Sequence, residues 1–377
     1  MPSTTRRRAV IGVIALTGVL ATAACSPPEP EADAGTADAA SATSVDDFGS
    51  FEELVAAAEA EGELNVIALP PDWANYGEVI EAFSDTYDIE VTSAQPDASS
   101  QDEINAANQL SGQERAPDVF DLGQAVADAN TDLFARYQVQ TWDDIGSDFK
   151  HPDGLWVNDY GGFMSIGYDA GQVSAPQAVT DLLGEEFRGK VALNGDPTQA
   201  GAGFSGVVMA ALGNGGSGDD IAAGVDFFSE LNAAGNFLPV DPTPATIESG
   251  QTPVVIDWDY LNVGQGVSLE GTIDWQTVVP ENAVVGGYYA QAINKDAPHP
   301  AAARLWQEFL YSDEGQNLWL AGGARPVRAD AMAEAGTIDT EAYDSLPEVV
   351  GEPVVLTPDQ NAAAQEYLQQ SWAGAVG

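Results

Sequence analysis

The chain has 377 residues, 44% of them apolar, which is enough for two domains with packed cores. Acidic residues number 59 against 12 basic ones, for a net charge of −47. That balance excludes nucleic acid as a partner, because binding it needs a cationic face. The acidity fits a solvated surface, with a cation-attracting field as a second option.

The first residues read as an export signal. Arg6, Arg7 and Arg8 form a basic start, and residues 9–21 are apolar but shorter than the ~20 residues that span a bilayer. Thr22-Ala23-Ala24 then precede Cys25, the only cysteine in the chain. No disulfide within the chain, thiol catalysis elsewhere or cysteine-based zinc site is possible. Small residues before a lone cysteine resemble a bacterial lipobox, so residues 1–24 are expected to be a lipoprotein signal and Cys25 the lipidated N-terminus. Ordinary cleavage beside an incidental cysteine is the alternative, and Thr5-Arg6-Arg7 leaves Sec and twin-arginine export both open. Residues 25–48 are rich in Pro, Glu, Asp, Ala, Ser and Thr, and are expected to form a disordered acidic tether.

Ser50 and Glu53 make a capping box for a helix over 51–61, closed by Gly62. A strand over 64–69 runs into a loop carrying Asp72, Trp73 and Tyr76. A helix over 76–87, a strand over 89–92, a helix from Ser99 or Ser100 to about 110 and a strand over 117–122 follow. This β-α-β-α-β order predicts a parallel sheet flanked by helices, with Asp72, Trp73, Tyr76, Asp121 and Gln124 at its ligand-facing end. After Tyr160 an alternating run over 163–169 leaves that sheet. A second α/β unit holds a strand over 190–193, a polar elbow over 194–199, and a G-x-G-x-x-G spacing at 201–206 that opens an apolar helix. A helix over 219–233 and a strand over 253–258 ending in Asp259-Tyr260 complete it. A second alternating run, 284–294, carries Tyr288 and Tyr289, and helices over 300–311, 312–320 and 358–372 finish the chain. Two alternating runs bracketing the second unit predict two crossings and a discontinuous first domain. The expected division is lobe 1 over 49–160, lobe 2 over 161–287, a return crossing with lobe 1 helices over 288–330, and a C-terminal helical segment over 331–377.

Several stretches in this order resemble the extracellular solute-binding proteins of bacterial ABC importers, in the class that contains polyamine, ferric-ion and thiamine binders. They are ELVAAAEAEGELNVIAL, RAPDVFDLG, DLLGEEFRGKVAL, SGQTPVVIDWDY and APHPAAARLWQEFLYSDEGQNLWL, and they cover most of residues 51 to about 328. The resemblance implies an α/β, two-lobed type II periplasmic-binding-protein fold, each lobe a mostly parallel sheet flanked by helices, joined by crossing strands. It implies a solute held in the inter-lobe cleft, delivery to the transmembrane permease subunits, no cofactor, and a monomer lipid-anchored to the outer face of the cell membrane. No G-x-x-x-x-G-K-[ST] occurs, so the chain is not the importer's ATPase.

Candidate ligand residues must come from both lobes, because only a solute touching both stabilises a closed form. Lobe 1 offers Asp72, Trp73, Tyr76 and Asp121; lobe 2 offers Asp196, Gln199, Ser205, Trp258, Asp259 and Tyr260; Tyr160 and Tyr289 lie near the crossings. Aromatic faces beside carboxylates suit a cationic amine. Asp196 matches the first acid of a pair that polyamine binders carry on this elbow, and Gln199 stands where the second would be. Alternatively Asp196 caps the turn. The glycines at 201–206 are read three ways: a dinucleotide site, an anion at the helix start, or close packing of the elbow. The Tyr288-Tyr289 pair is similar to adjacent tyrosines of ferric binders but sits on the second crossing strand, where alternation points the rings to opposite faces. With only His151 and His299 present, and no thiol cluster, no metal site is expected. The favoured solute is a polyamine-like amine. The alternatives are an anionic or zwitterionic solute such as an aminophosphonate, then ferric ion, thiamine or a sugar. The alternative of another class is an exported enzyme on the same scaffold, for which no G-x-S-x-G elbow is present.

Overall fold

A computed structural model describes residues 39–377. The signal, Cys25 and most of the tether lie outside the described residues. The remainder of the tether departs from expectation. Two short 3-10 turns, Ala39–Ser41 and Val45–Phe48, pack onto the body, and Ala42, Val45 and Phe48 are buried. The buried Arg304 guanidinium holds them, donating from Nε to Ala42 O at 2.8 Å and from Nη2 to Ala40 O at 2.9 Å. Its Nη1 donates to Pro300 O at 2.8 Å. A tether reaching residue 48 is therefore corrected: a composition poor in apolar residues still contains one Val and one Phe, and a distant arginine anchors them. Arg304→Met should cost about 2–4 kcal/mol, since it leaves buried carbonyls and the cavity of a guanidinium behind. Urea unfolding reads this, and limited proteolysis should then cut within residues 39–48 first; an unchanged midpoint would contradict the anchoring role.

Helix α1 (Phe51–Glu61) starts where Ser50 Oγ accepts the Glu53 N–H at 3.2 Å, and ends at Gly62, whose φ of 74° favours glycine. Strand β1 (Glu63–Ile67), α2 (Tyr76–Tyr87), β2 (Glu90–Ala94), α3 (Ser100–Leu110), β3 (Val119–Gly123), α4 (Gln124–Ala129) and the short β4 (Phe134–Ala135) follow. Strand β5 (Val157–Asp169) is the longest. Next come β6 (Val191–Leu193), α5 (Gly201–Gly213), α6 (Ala222–Ala233), α7 (Pro244–Glu248), β7 (Val254–Trp258), α8 (Asp259–Ser268) and β8 (Trp275–Val278). The return strand β9 (Gly286–Asn294) leads to α9 (Pro300–Leu310), α10 (Asp313–Ala321), β10 (Arg325–Pro326), α11 (Ala329–Ala335), α12 (Thr340–Asp344) and α13 (Pro358–Val376).

Strand β5 is the crossing element. Residues up to Phe163 pair with β9 and β10, and from Met164 onward β5 pairs with β7 and β8, giving the order β3-β9-β5-β7-β6. Parallel pairing occurs in the separate two-stranded sheet β1–β2 and at the β7–β6 edge, while β3, β9 and β5 pair antiparallel, as do β5 and β7. The first half buries Phe83 against Trp306 (ring centroids 5.0 Å apart) and Trp319 against Tyr76 (4.7 Å). The second half packs the apolar α5 between sheet and α6, and α13 closes over it with Trp372 against Phe228 at 5.1 Å. Aromatic pairs in these edge-on arrangements add about 0.5–1.5 kcal/mol each beyond area burial.

Candidate functional site

The crossings set the carboxyl ends of the two halves' strands against each other. On the first side, β1 runs into a tight loop with Ala68, Ala74 and Asn75 at positive φ. Such backbone is costly for residues with a Cβ and persists where neighbours over-determine it; here Asn75 Nδ2 is tied to Leu318 O at 3.0 Å. The loop projects Trp73, whose Nε1 donates to Tyr160 Oη at 2.9 Å. Tyr160 Oη in turn donates to Asp121 Oδ2 at 3.1 Å. Gln291, opposite Asp121 in the β3–β9 register, donates through Nε2 to Tyr76 Oη at 2.9 Å and to Asp159 Oδ2 at 3.0 Å.

From the second side, Tyr260 in the first turn of α8 closes on this wall. Its ring lies 5.9 Å from that of Trp73 and 5.9 Å from that of Tyr160, edge-on to both. Tyr289 stacks on Tyr160 at 5.5 Å and meets Trp73 at 5.8 Å. Trp258 lies parallel to Tyr260 at 6.2 Å. Four rings therefore converge: Trp73, Tyr160, Tyr260 and Tyr289. Tyr288, next in sequence, packs against Phe149 at 4.8 Å instead. Asp257, at the carboxyl end of β7, accepts Asn194 Nδ2 at 2.8 Å and the Trp258 N–H at 2.8 Å.

The electrostatics are one-sided. Burial pushes the Asp121 carboxyl up to about 7, partly offset by hydrogen bonds from Tyr76, Tyr160 and Gln291. Burial likewise raises Asp257 to about 7, against hydrogen bonds from Asn194 and the Trp258 N–H. Asp159 and Glu103 are also pushed up by burial first and by the Asp121 charge second. Among the described residues neither Asp121 nor Asp257 has an ion-pair partner. An unpaired charge in a dry site is costly, and holding the proton to higher pH is how these carboxyls avoid it.

Not every residue singled out in the sequence reaches this cluster. Asp72 is exposed. Asp196 is exposed too, and its carboxylate is occupied by the Thr198 N–H (2.8 Å), Thr198 Oγ1 (2.7 Å) and Gln199 Nε2 (3.5 Å), so it and Gln199 stiffen the elbow. Ser205 is half-buried in the first turns of α5. Asp259 is buried and engaged: it accepts the N–H groups of Phe163 (2.9 Å) and Tyr260 (3.0 Å) and pairs with Arg325 at 3.3 Å. Its carboxyl is raised to about 6 by burial, moderated by Arg325. The glycines of the elbow are packing positions. A Cβ on Gly203 would strike the Gly195 carbonyl, and one on Gly206 would press on Leu193 and Ile256, whereas Gly201 faces open space. Asp257, Asn194 and Gln291 escaped sequence reasoning. Gln291 shares the period-2 face of Tyr289 on β9, which is the signal that places it.

Among the described residues no group of three or more His, Cys, Asp or Glu side chains is arranged to hold a metal ion. No helix among them is long and apolar enough to cross a membrane.

Residues 117–344 match the family model described as bacterial extracellular solute-binding protein. No curated protein matches the sequence. Among solved structures, an ABC transporter substrate-binding protein from Bradyrhizobium japonicum USDA 110 superposes with a TM-score of 0.66 at 14% identity, over 84% of this chain and 100% of the other. A periplasmic thiamin binding protein gives 0.65 at 17% identity, over 84% and 96% of the two chains. Iron-bound HitA from Pseudomonas aeruginosa gives 0.59 at 17% identity, over 82% and 98%. These likenesses establish a type II periplasmic-binding fold; at such identities they carry nothing about the ligand.

Proposed function

The chain belongs to the bacterial extracellular solute-binding proteins of ABC importers, and from that premise we propose that it captures a small organic cation of polyamine type between its two halves. The observation that carries this choice is the pair of buried carboxylates, Asp121 from one half and Asp257 from the other, which have no ion-pair partner among the described residues and lie beside four converging aromatic rings. A cation over such rings gains about 0.5–2 kcal/mol from cation–π attraction, on top of charge pairing. Because Tyr260 meets Trp73 and Tyr160 across the cleft, a solute seated there touches both halves and favours their closed arrangement. The closed complex is what a permease would receive. The chain then acts as a carrier and leaves the amine chemically unchanged.

Calorimetric screening of the purified protein against diamines, polyamines, phosphonates, sugars and ferric salts tests this. Binding of a phosphonate or sugar with no response to any amine would overturn the amine choice, and turnover of the bound compound would overturn the carrier role. A zwitterion with an anionic end is the second reading. It is favoured by the start of α5, where Ala200 supplies no side-chain cap and Gly201 is exposed.

We further propose that Cys25 carries the lipid that holds the exported protein at the membrane. Cys25→Ser should move the protein from the membrane fraction to the soluble fraction on cell fractionation, and continued membrane retention would refute the anchor.

A further inference from the structure

An ion pair joins the two halves at the crossing strand. Arg325 belongs to the first half, where β10 pairs it with Gly161 of β5. Asp259 belongs to the second, as the first residue of α8 after β7. Their side chains meet at 3.3 Å, 17% and 0% exposed respectively. Among the described residues neither has another ion-pair partner. The two Asp259 oxygens have separate partners. Oδ1 accepts the N–H groups of Phe163 and Tyr260, while Oδ2 accepts Arg325 Nη2. Phe163 is the last residue of β5 to pair with β9, and Met164 is the first to pair with β7. Oδ1 therefore fixes Asp259 at the pivot and leaves Oδ2 to the first half. Gly162 makes room for this, since a Cβ there would strike Asp259 Oδ1. Other contacts between the halves gather on the same helix. The Tyr260 ring lies edge-on to Trp73 at 5.9 Å, and a Cβ on Gly323, in the turn before β10, would press on Val263.

We propose that the Arg325–Asp259 pair is a latch between the halves, which holds them closed before any solute arrives and breaks when they part. The physical reason is the different solvation of the two charges in the two arrangements. Closed, each is nearly dry with the other as its counter-ion; parted, both return to water. Removing one charge leaves the other unpaired in the closed arrangement alone, where an unpaired charge is costly. The balance then moves toward the open form. Because the latch acts on the arrangement of the halves, it scales the apparent affinity for any solute by one factor, the closed fraction. Loss of a residue that touches the solute would instead change one solute against another. The latch holds whether or not the solute is an amine.

The test measures the opening directly in the solute-free protein at pH 8. Spin labels go on Asp72→Cys in the first half and Gln199→Cys in the second, both exposed and both on loops that follow strands. The background is the full chain with Cys25→Ser, and pulsed dipolar spectroscopy reads the distance between labels. With the latch intact the shorter distance should predominate. Asp259→Asn keeps an oxygen for the Phe163 and Tyr260 N–H groups and removes the charge; Arg325→Gln removes the opposite charge. Each should lower the ratio of short to long distance about tenfold or more, the scale of a hydrogen bond between charged groups. The double variant should be no more open than either single one, because one interaction is lost in all three. A distribution unmoved by either folded variant would overturn the latch, as would openings that add in the double variant. Failure of both single variants to fold would make the pair a structural bond and overturn it as well.

Discussion

Replacing Asp257 by Asn should weaken amine binding about 100-fold while raising the melting temperature of the solute-free protein. The two effects have opposite signs for one reason. Asp257 is buried at the carboxyl end of β7, accepts two hydrogen bonds, and among the described residues has no ion-pair partner. In the solute-free protein its charge is a burden, as its rise to about 7 records. Each pH unit by which a folded-state carboxyl is raised stands for about 1.4 kcal/mol of disfavoured ionisation. Asn removes the charge and keeps the shape; the Asn194 amide can turn to present its oxygen, so the local hydrogen bonding survives. In the complex the same charge is an asset, and losing one partner of a buried, hydrogen-bonded charge pair costs about 2–5 kcal/mol. Calorimetry and a thermal melt on the same preparation separate the effects. Unchanged affinity would mean Asp257 does not face the solute, and a lower melting temperature would make its carboxylate structural.

The second expected result concerns pH. Solute-free stability should fall as pH rises from about 4 to about 7, while amine affinity rises through the upper part of that interval. Asp121 and Asp257 are raised from 3.8 to about 7, and Asp259 from 3.8 to about 6, in each case chiefly by burial. A raised carboxyl keeps its proton in the folded state after the unfolded chain has lost it. The folded protein therefore binds more protons between the two values, and stability declines with rising pH by up to about 1.4 kcal/mol per pH unit for each such group. The decline is complete once pH exceeds the folded-state values. A cationic amine prefers the ionised carboxylates, so its affinity should climb by up to about tenfold per pH unit per carboxylate and level off above pH 7–8. Glu308 provides the control. Burial raises it to about 7 as well, but it sits away from the cleft, accepting from Tyr137 Oη and the Gln140 N–H. Glu308→Gln should flatten part of the stability slope and leave the affinity profile unchanged. An amine affinity constant from pH 5.5 to 8.5 would remove the cleft carboxylates from the recognition scheme.

Much of the architecture was legible from the sequence because it is encoded locally. A serine three residues before a glutamate, a glycine at a left-handed end, and periods of 3.6 and 2 each act over a single element. They sufficed for the alternation of strands and helices and for the alternating run that forms the crossing strand β5. The convergence of Trp73, Tyr160, Tyr260 and Tyr289 was partly legible too, because loops and strand ends at one side of an α/β sheet carry them. Residues 39–48 were misjudged because what fixes them is Arg304, 262 positions beyond Ala42.

Which carboxylate of the run Asp257-Trp258-Asp259 carries a counter-ion was undecidable from the run itself. Tertiary structure decides it by bringing Arg325, 66 positions on, to Asp259, while among the described residues Asp257 has no ion-pair partner. Gln291 is the sharper case. As a neutral amide it carries no chemistry that singles it out, its period-2 face apart, and only the β3–β9 register sets it opposite Asp121 and in reach of Tyr76 and Asp159. Periodicity and capping are short-range and are written into the chain. The choice of which buried polar group stays unpaired depends on partners that only the packed fold brings into reach.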